Sequence, residues 1–257
     1  MGRWRERCTG ILLMFVLILG LCGNAVAVGN DALDKPLIDT AKYLYETVET
    51  PHVGSIGGEW AVIGLARSGY AVPKEYYQKY YAAVEDYVVQ RRGVLHEKKY
   101  TEYSRVIVAL AAIGKDARDV AGYDFAKPLG DYERTIWHGL NGPIWALIAL
   151  DSRDYPMPEN PEAKIQATRQ MYIDRILDCQ LSNGGWSLLG TASDGGETAD
   201  PDITGMALQA LAKYCDQSAV ATAVEQALAC MSAQQNADGG FSSWGTANSE
   251  SCAQMIV

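Results

Sequence analysis

The chain has 257 residues, of which 48% are apolar, a length that suits one large domain or a repeat array. Its 31 Asp and Glu against 22 Lys and Arg leave a net charge of −9. That balance excludes nucleic acid, which rewards basic patches, and sets anionic lipid surfaces aside as partners.

The first element is a targeting segment. Arg3, Arg5 and Arg7 make a basic start, Ile11 to Leu21 is an apolar run, and Ala25-Val26-Ala27 offers the small residues a signal peptidase reads. Residues 1–27 are therefore expected to be a signal peptide, and 28–257 the mature domain, secreted or held at the cell surface. The run is too short for a span of about 20 residues, so no stable membrane span is expected after cleavage. Lipidation at Cys22 is disfavoured by Leu21 before it. Four cysteines remain in the mature chain: Cys179, Cys215, Cys230 and Cys252. Export permits disulfides in any of three pairings, but Cys179, Cys215 and Cys230 fall on apolar helix faces, where buried thiols are expected.

Periodicity then predicts helix almost throughout, of two alternating kinds. Amphipathic helices are expected at about 33–48, at Tyr77, Tyr80, Tyr81, Val84 and Val88, at about 161–181, and at Val220, Val224, Ala227, Leu228 and Met231. Pro73 and Pro161 fit first-turn positions. Helices apolar nearly all round are expected at Trp60–Gly69, Arg105–Gly114, Ile144–Leu150, Thr204–Tyr214 and from Ser251 onward, with Gly69 and Gly114 as stops. A helix without a polar face must be surrounded by protein. Leu65, Leu110, Leu150 and Leu211 recur at steps of 45, 40 and 61 residues, the signature of stacked helical hairpins.

The loops repeat as well. Gln180-Leu-Ser-Asn-Gly-Gly-Trp186 returns as Gln235-Asn-Ala-Asp-Gly-Gly-Phe241, between an outer and an inner helix each time. The glycines permit positive φ, the Gln can tie loop backbone groups, and Trp186 is expected to plug a repeat junction. Gly57-Gly58 and Gly93 mark weaker copies.

This Gln-x-x-x-Gly-Gly-aromatic loop ahead of an apolar helix resembles the prenyltransferase and squalene-oxidase repeat family. Squalene and hopene cyclases, protein prenyltransferase β subunits and vitamin B12 carriers of the intrinsic-factor type share its architecture. The likeness is strongest over about residues 160–257 and fainter from Leu33 to Leu150. It implies an all-α fold, an α/α toroid of repeated hairpins with parallel inner helices, an outer ring, and a ligand cavity at one mouth. The chain reaches Val257 inside an apolar helix, so the toroid is expected to be incomplete, with further domains possible C-terminal to it.

By the same resemblance, Asp200-Pro-Asp202-Ile-Thr204 answers to the Asp-x-Asp-Asp-Thr of class II terpene cyclases, where the middle Asp is a general acid. Asp202, with Asp200 beside it, would then be catalytic, although Ile203 replaces one of the family's carboxylates; a capping role for Asp202 is the alternative. Glu250 and Cys252 resemble part of the prenyltransferase zinc site, but no His follows them, and Glu250 aligns with Asp202 as a capping acid. No cofactor is expected; a corrinoid or zinc is the reserve reading. The acidic loop with Asp194, Glu197, Asp200 and Asp202 lacks EF-hand spacing and reads as solvated.

A toroid would bring the helix mouths together. The residues expected there are Glu59 and Trp60, Glu102, Tyr103 and Arg105, His138, Asn141 and Trp145, then Asp202, Trp244 and Glu250. Dinucleotide, phosphate-loop, metalloprotease, nucleophile-elbow and thioester motifs are absent from the sequence. The expected function is an exported module binding a small-molecule or surface ligand. A terpene-cyclase-like isomerase or prenyltransferase-like enzyme is the first alternative, and a structural surface module the second.

Overall fold

The computed structural model describes residues 31–188 and 198–256, so the expected signal peptide and the acidic side chains Asp194 and Glu197 lie outside the described residues. The chain divides into two units, Met1–Thr40 and Ala41–Val257. Helix α1 (Asp31–Thr47) begins in the first and ends in the second. The second unit is mostly helical.

Five helices stand where the inner helices are expected: α2 (Trp60–Arg67), α4 (Thr101–Ala112), α6 (Asn141–Asp151), α8 (Pro201–Leu211) and α10 (Ser249–Ile256), although α10 buries only Ser251 and so departs from the expected fully enclosed helix. Each packs on the next, α2 on α4, α4 on α6, α6 on α8 and α8 on α10. The amphipathic α3 (Lys74–Gln90), α7 (Arg169–Asp178) and α9 (Ser218–Gln234) alternate with them in sequence; α7 packs on α6, and α9 on both α8 and α7. A short α5 (Tyr132–Ile136) leads into α6, and a two-stranded hairpin, β1 (Ser242–Ser243) with β2 (Thr246–Ala247), leads into α10.

The core lies where the apolar periodicity requires it. Leu65, Leu110, Leu150 and Leu211, one from each of four inner helices, are all buried to 1% exposure or less. Each contributes about 1.5–3 kcal/mol by leaving water. Helix α6 buries Gly142, Pro143, Ile144, Ala146, Leu147, Ala149 and Leu150, so it has almost no solvated face. The outer α3 instead buries only one stripe, Tyr76, Tyr80, Val84 and Val88. Gly69 and Gly114 take positive φ just past α2 and α4. At Gly114 the Lys115 N–H then reaches back to the Leu110 carbonyl, the bond that closes a helix end.

Three expectations need correction. The helix expected over 161–181 forms only at Arg169–Asp178, because Thr168 is extended and caps it by accepting from the Met171 N–H; Pro161 lies in irregular chain before it. Cys215 is exposed, since the helix above it tightens into a 3-10 turn at Ala212–Tyr214 and turns the thiol out. Leu228 is half exposed because it lies off the Val220, Ala227 and Met231 stripe of α9. The four described cysteines are thiols, Cys179 and Cys230 buried.

Candidate functional site

The glycine-rich turn Ser55–Glu59 sets the first wall of the candidate site. Gly54 and Gly57 take φ of +148° and +68°, which lets the chain fold tightly against the start of α2. The Glu59 side chain is fully buried there. Its carboxylate accepts two hydrogen bonds from the Gly54 N–H (3.1 and 3.2 Å), one from the Tyr80 hydroxyl (3.3 Å) and one from Arg105 Nε (2.9 Å). Arg105 also grips Glu102, one turn back on α4, through both terminal nitrogens. The carboxylate–guanidinium–carboxylate chain thus joins the turn, α3 and α4.

The ionisation of these groups follows from that packing. Burial opposes the Arg105 charge, but the hydrogen bonds to Glu102 and Glu59 outweigh it and raise the guanidinium above its ordinary value. Burial first, and the Glu59 carboxylate second, push the Tyr80 phenol well above the ordinary tyrosine value. Removing one partner of such a buried set leaves an uncompensated charge, at a cost of about 3–5 kcal/mol.

Trp60 opens α2 directly after Glu59 and is 45% exposed. Its indole meets that of Trp145 on α6, edge to face, with ring centroids 5.4 Å apart. Helix α4 packs against both α2 and α6, the two helices that carry these indoles. Asn141, one turn before Trp145, has a buried side-chain oxygen with no hydrogen-bond partner, and the neighbouring His138 has a buried, unpartnered Nδ1. Five expected residues, Glu59, Trp60, Glu102, Arg105 and Trp145, are thus brought together, with Asn141 on the same helix end.

Tyr103 does not join them. It is buried, and its hydroxyl accepts from the Leu95 N–H at 3.0 Å. Asp202, Trp244 and Glu250 belong to a second group around α8 and α10. There Asp200, not Asp202, is the cap: its Oδ1 accepts from the N–H groups of Asp202 and Ile203, and its Oδ2 from the Ser243 hydroxyl at 3.0 Å. Asp202 sits in the first turn with a buried, unpartnered Oδ1. One repeat on, Asn248 caps α10 through the N–H groups of Glu250 and Ser251, so Glu250 occupies Asp202's position as a first-turn acid and is exposed. Trp244 stands at the hairpin tip, 96% exposed with φ of +52°. Among the described residues no hydrogen bond, ion pair or ring contact joins this group to the Trp60–Trp145 group.

The thiol of Cys252 accepts from the Phe241 N–H at 3.3 Å, as the Thr204 hydroxyl accepts from the Trp186 N–H at 3.0 Å. It therefore has a loop-closing task that the zinc reading did not include. No metal-binding cluster of three His, Cys, Asp or Glu exists among the described residues. The sequence does not mark the roles of Tyr80 and of the Gly54 N–H, because Tyr80 lies within an apolar stripe and nothing in its spacing singles out the hydroxyl. Asn248 was legible as a helix-capping Asn ahead of Ser-Glu.

Compared with protein-family models, with characterised proteins and with solved structures, the chain has no match.

Proposed function

We propose that this chain is an exported or cell-surface binding module of the α/α-toroid kind, resembling prenyltransferase and squalene-oxidase repeat proteins, whose small-molecule or surface ligand seats over the Trp60–Trp145 pair. The observation that carries the reading is that pair: two indoles from inner helices on either side of α4, one of them nearly half exposed. Aromatic faces with a few fixed polar groups are the usual make-up of a ligand pocket. Glu102, Arg105 and Asn141 supply the polar groups, and the sequential packing of α2, α4, α6, α8 and α10 supports a curved inner wall.

The test uses intrinsic tryptophan fluorescence of the mature chain, titrated with cyanocobalamin, squalene and geranylgeranyl diphosphate as probes. A saturable change with one probe, weakened at least tenfold by Trp60→Ala with Trp145→Ala, is expected. Affinity unchanged in the double variant, or no binding by any probe, overturns the reading.

One observation favours the enzymatic alternative. Asp202, which answers to the middle Asp of the cyclase motif, has a buried side-chain oxygen without a hydrogen-bond partner. On that reading Asp202→Asn abolishes turnover of squalene while the chain still folds; absence of turnover in the parent chain removes it.

A further inference from the structure

One concave surface of the protein has neither Trp60 nor Trp145 in its lining. A cleft of about 800 Å³ is lined by the 94–100 loop and by α5, with His96, Glu97, Lys98, Tyr100, Arg134 and Trp137 among its walls. Trp137 is 61% exposed in it. An indole that exposed, standing in the wall of a cleft, offers an apolar face to an occupant.

The cleft's charges are balanced. Glu133 pairs with Lys164 and Glu162 with Lys127, each at 2.9 Å, and Arg134 lies 3.8 Å from Asp131. Glu97 and Lys98 remain as one acid and one base. A balanced cleft neither attracts a strongly charged ligand nor gains from neutralising one. What it offers is a dense set of directional donors and acceptors. His96 is fixed by its own loop: Nδ1 accepts from the N–H groups of Lys98 and Lys99, both at 3.0 Å, which leaves Nε2 as the ring atom for a further partner. The Arg134 guanidinium reaches the Tyr100 hydroxyl only at 3.5 Å and keeps donors to spare. The Lys98 ammonium lies over the Trp137 ring, 5.5 Å from its centroid, a loose cover that a better-fitting partner displaces.

We propose that this cleft binds a neutral saccharide. A sugar ring lays its C–H face on the Trp137 indole, while its hydroxyls, each both donor and acceptor, bridge His96, Glu97 and Arg134.

The test is calorimetric titration of the mature chain with maltotriose, cellotriose, xylotriose and tri-N-acetylchitotriose, with trigalacturonate as the acidic comparison. Saturable binding of at least one neutral trisaccharide is expected, weakened tenfold or more by Trp137→Ala and at least threefold by His96→Ala. The Trp60→Ala, Trp145→Ala double variant is expected to bind it as the parent does, which separates this cleft from the tryptophan pair. Binding of trigalacturonate alone, no binding by any neutral sugar, or equal affinity in Trp137→Ala overturns the proposal. Trp137 is exposed, so its removal leaves the fold intact, and unchanged far-ultraviolet circular dichroism checks this.

Discussion

The loops Gln180–Trp186 and Gln235–Phe241 share one backbone design but are packed very differently. In the first, Leu181 N–H donates to the Gly185 carbonyl and Gly184 N–H to Leu181; in the second, Asn236 and Gly239 make the same bonds to Gly240 and Asn236. Asn183 and Asp238 each accept from the second glycine's N–H, and each Gln side chain donates to the first glycine's carbonyl at 2.7 Å. Yet Trp186 is fully buried with its indole N–H on the Ile176 carbonyl, whereas Phe241 lies in a small satellite cluster. Gln180 makes a further bond to the Ala223 carbonyl of α9. The shape of the turn is therefore local, dictated by Gly, Asn or Asp and Gln within seven residues, while its stability depends on the helix packed against it.

That comparison can be broken at the aromatic. Trp186→Ala is expected to cost about 3–5 kcal/mol, and Phe241→Ala about 2, because the satellite cluster collapses more easily than the core. Equal losses in urea unfolding would make the two loops energetically alike. The glycines sharpen the same contrast. Gly184 and Gly239 have φ of +94° and +86°, so an Ala at either meets about 1–2 kcal/mol of left-handed strain. At Gly184 the new methyl would also lie 2.6 Å from the Gln226 carbonyl oxygen, while at Gly239 it meets nothing within 4 Å. Gly184→Ala is thus expected to lower the melting temperature by at least twice as much as Gly239→Ala.

The glutamines come next. Gln180→Ala removes two hydrogen bonds and Gln235→Ala one exposed bond, so losses of about 2 and 0.5 kcal/mol are expected by chemical denaturation. The smallest effect is a gain. Cys252→Thr gives the second loop the hydroxyl acceptor that Thr204 provides in the first, which is expected to stabilise by about 0.5 kcal/mol, read as a small rise in melting temperature. A loss there would mean that the thiol fills space a hydroxyl and methyl cannot.

Much of this is legible in the sequence, and the reason is periodicity. A helix apolar on every side has only one place to go, so Leu65, Leu110, Leu150 and Leu211 announced their burial from spacing alone. Glu59, Trp60, Arg105 and Trp145 were legible as a group because each stands at the start of an inner helix. What the sequence hid was the role of backbone and of hydroxyls. Nothing in the spacing assigns the cap to Asp200 rather than Asp202, since both are good N-terminal residues and only the turn geometry decides. Pro161 and Thr168 are each plausible starts for the helix expected over 161–181, and the pairing of Asp131 with Gln166 keeps the chain extended up to the later one.

The buried Glu59 carboxylate also governs how an encounter at the tryptophan pair would unfold in time. Trp60 is covalently next to a group clamped by a glycine amide, a phenol and a guanidinium, so the indole's backbone has little freedom left to lose. An arriving molecule would meet a surface whose ordering cost was met during folding, and association there should proceed by simple docking, without a slow rearrangement step.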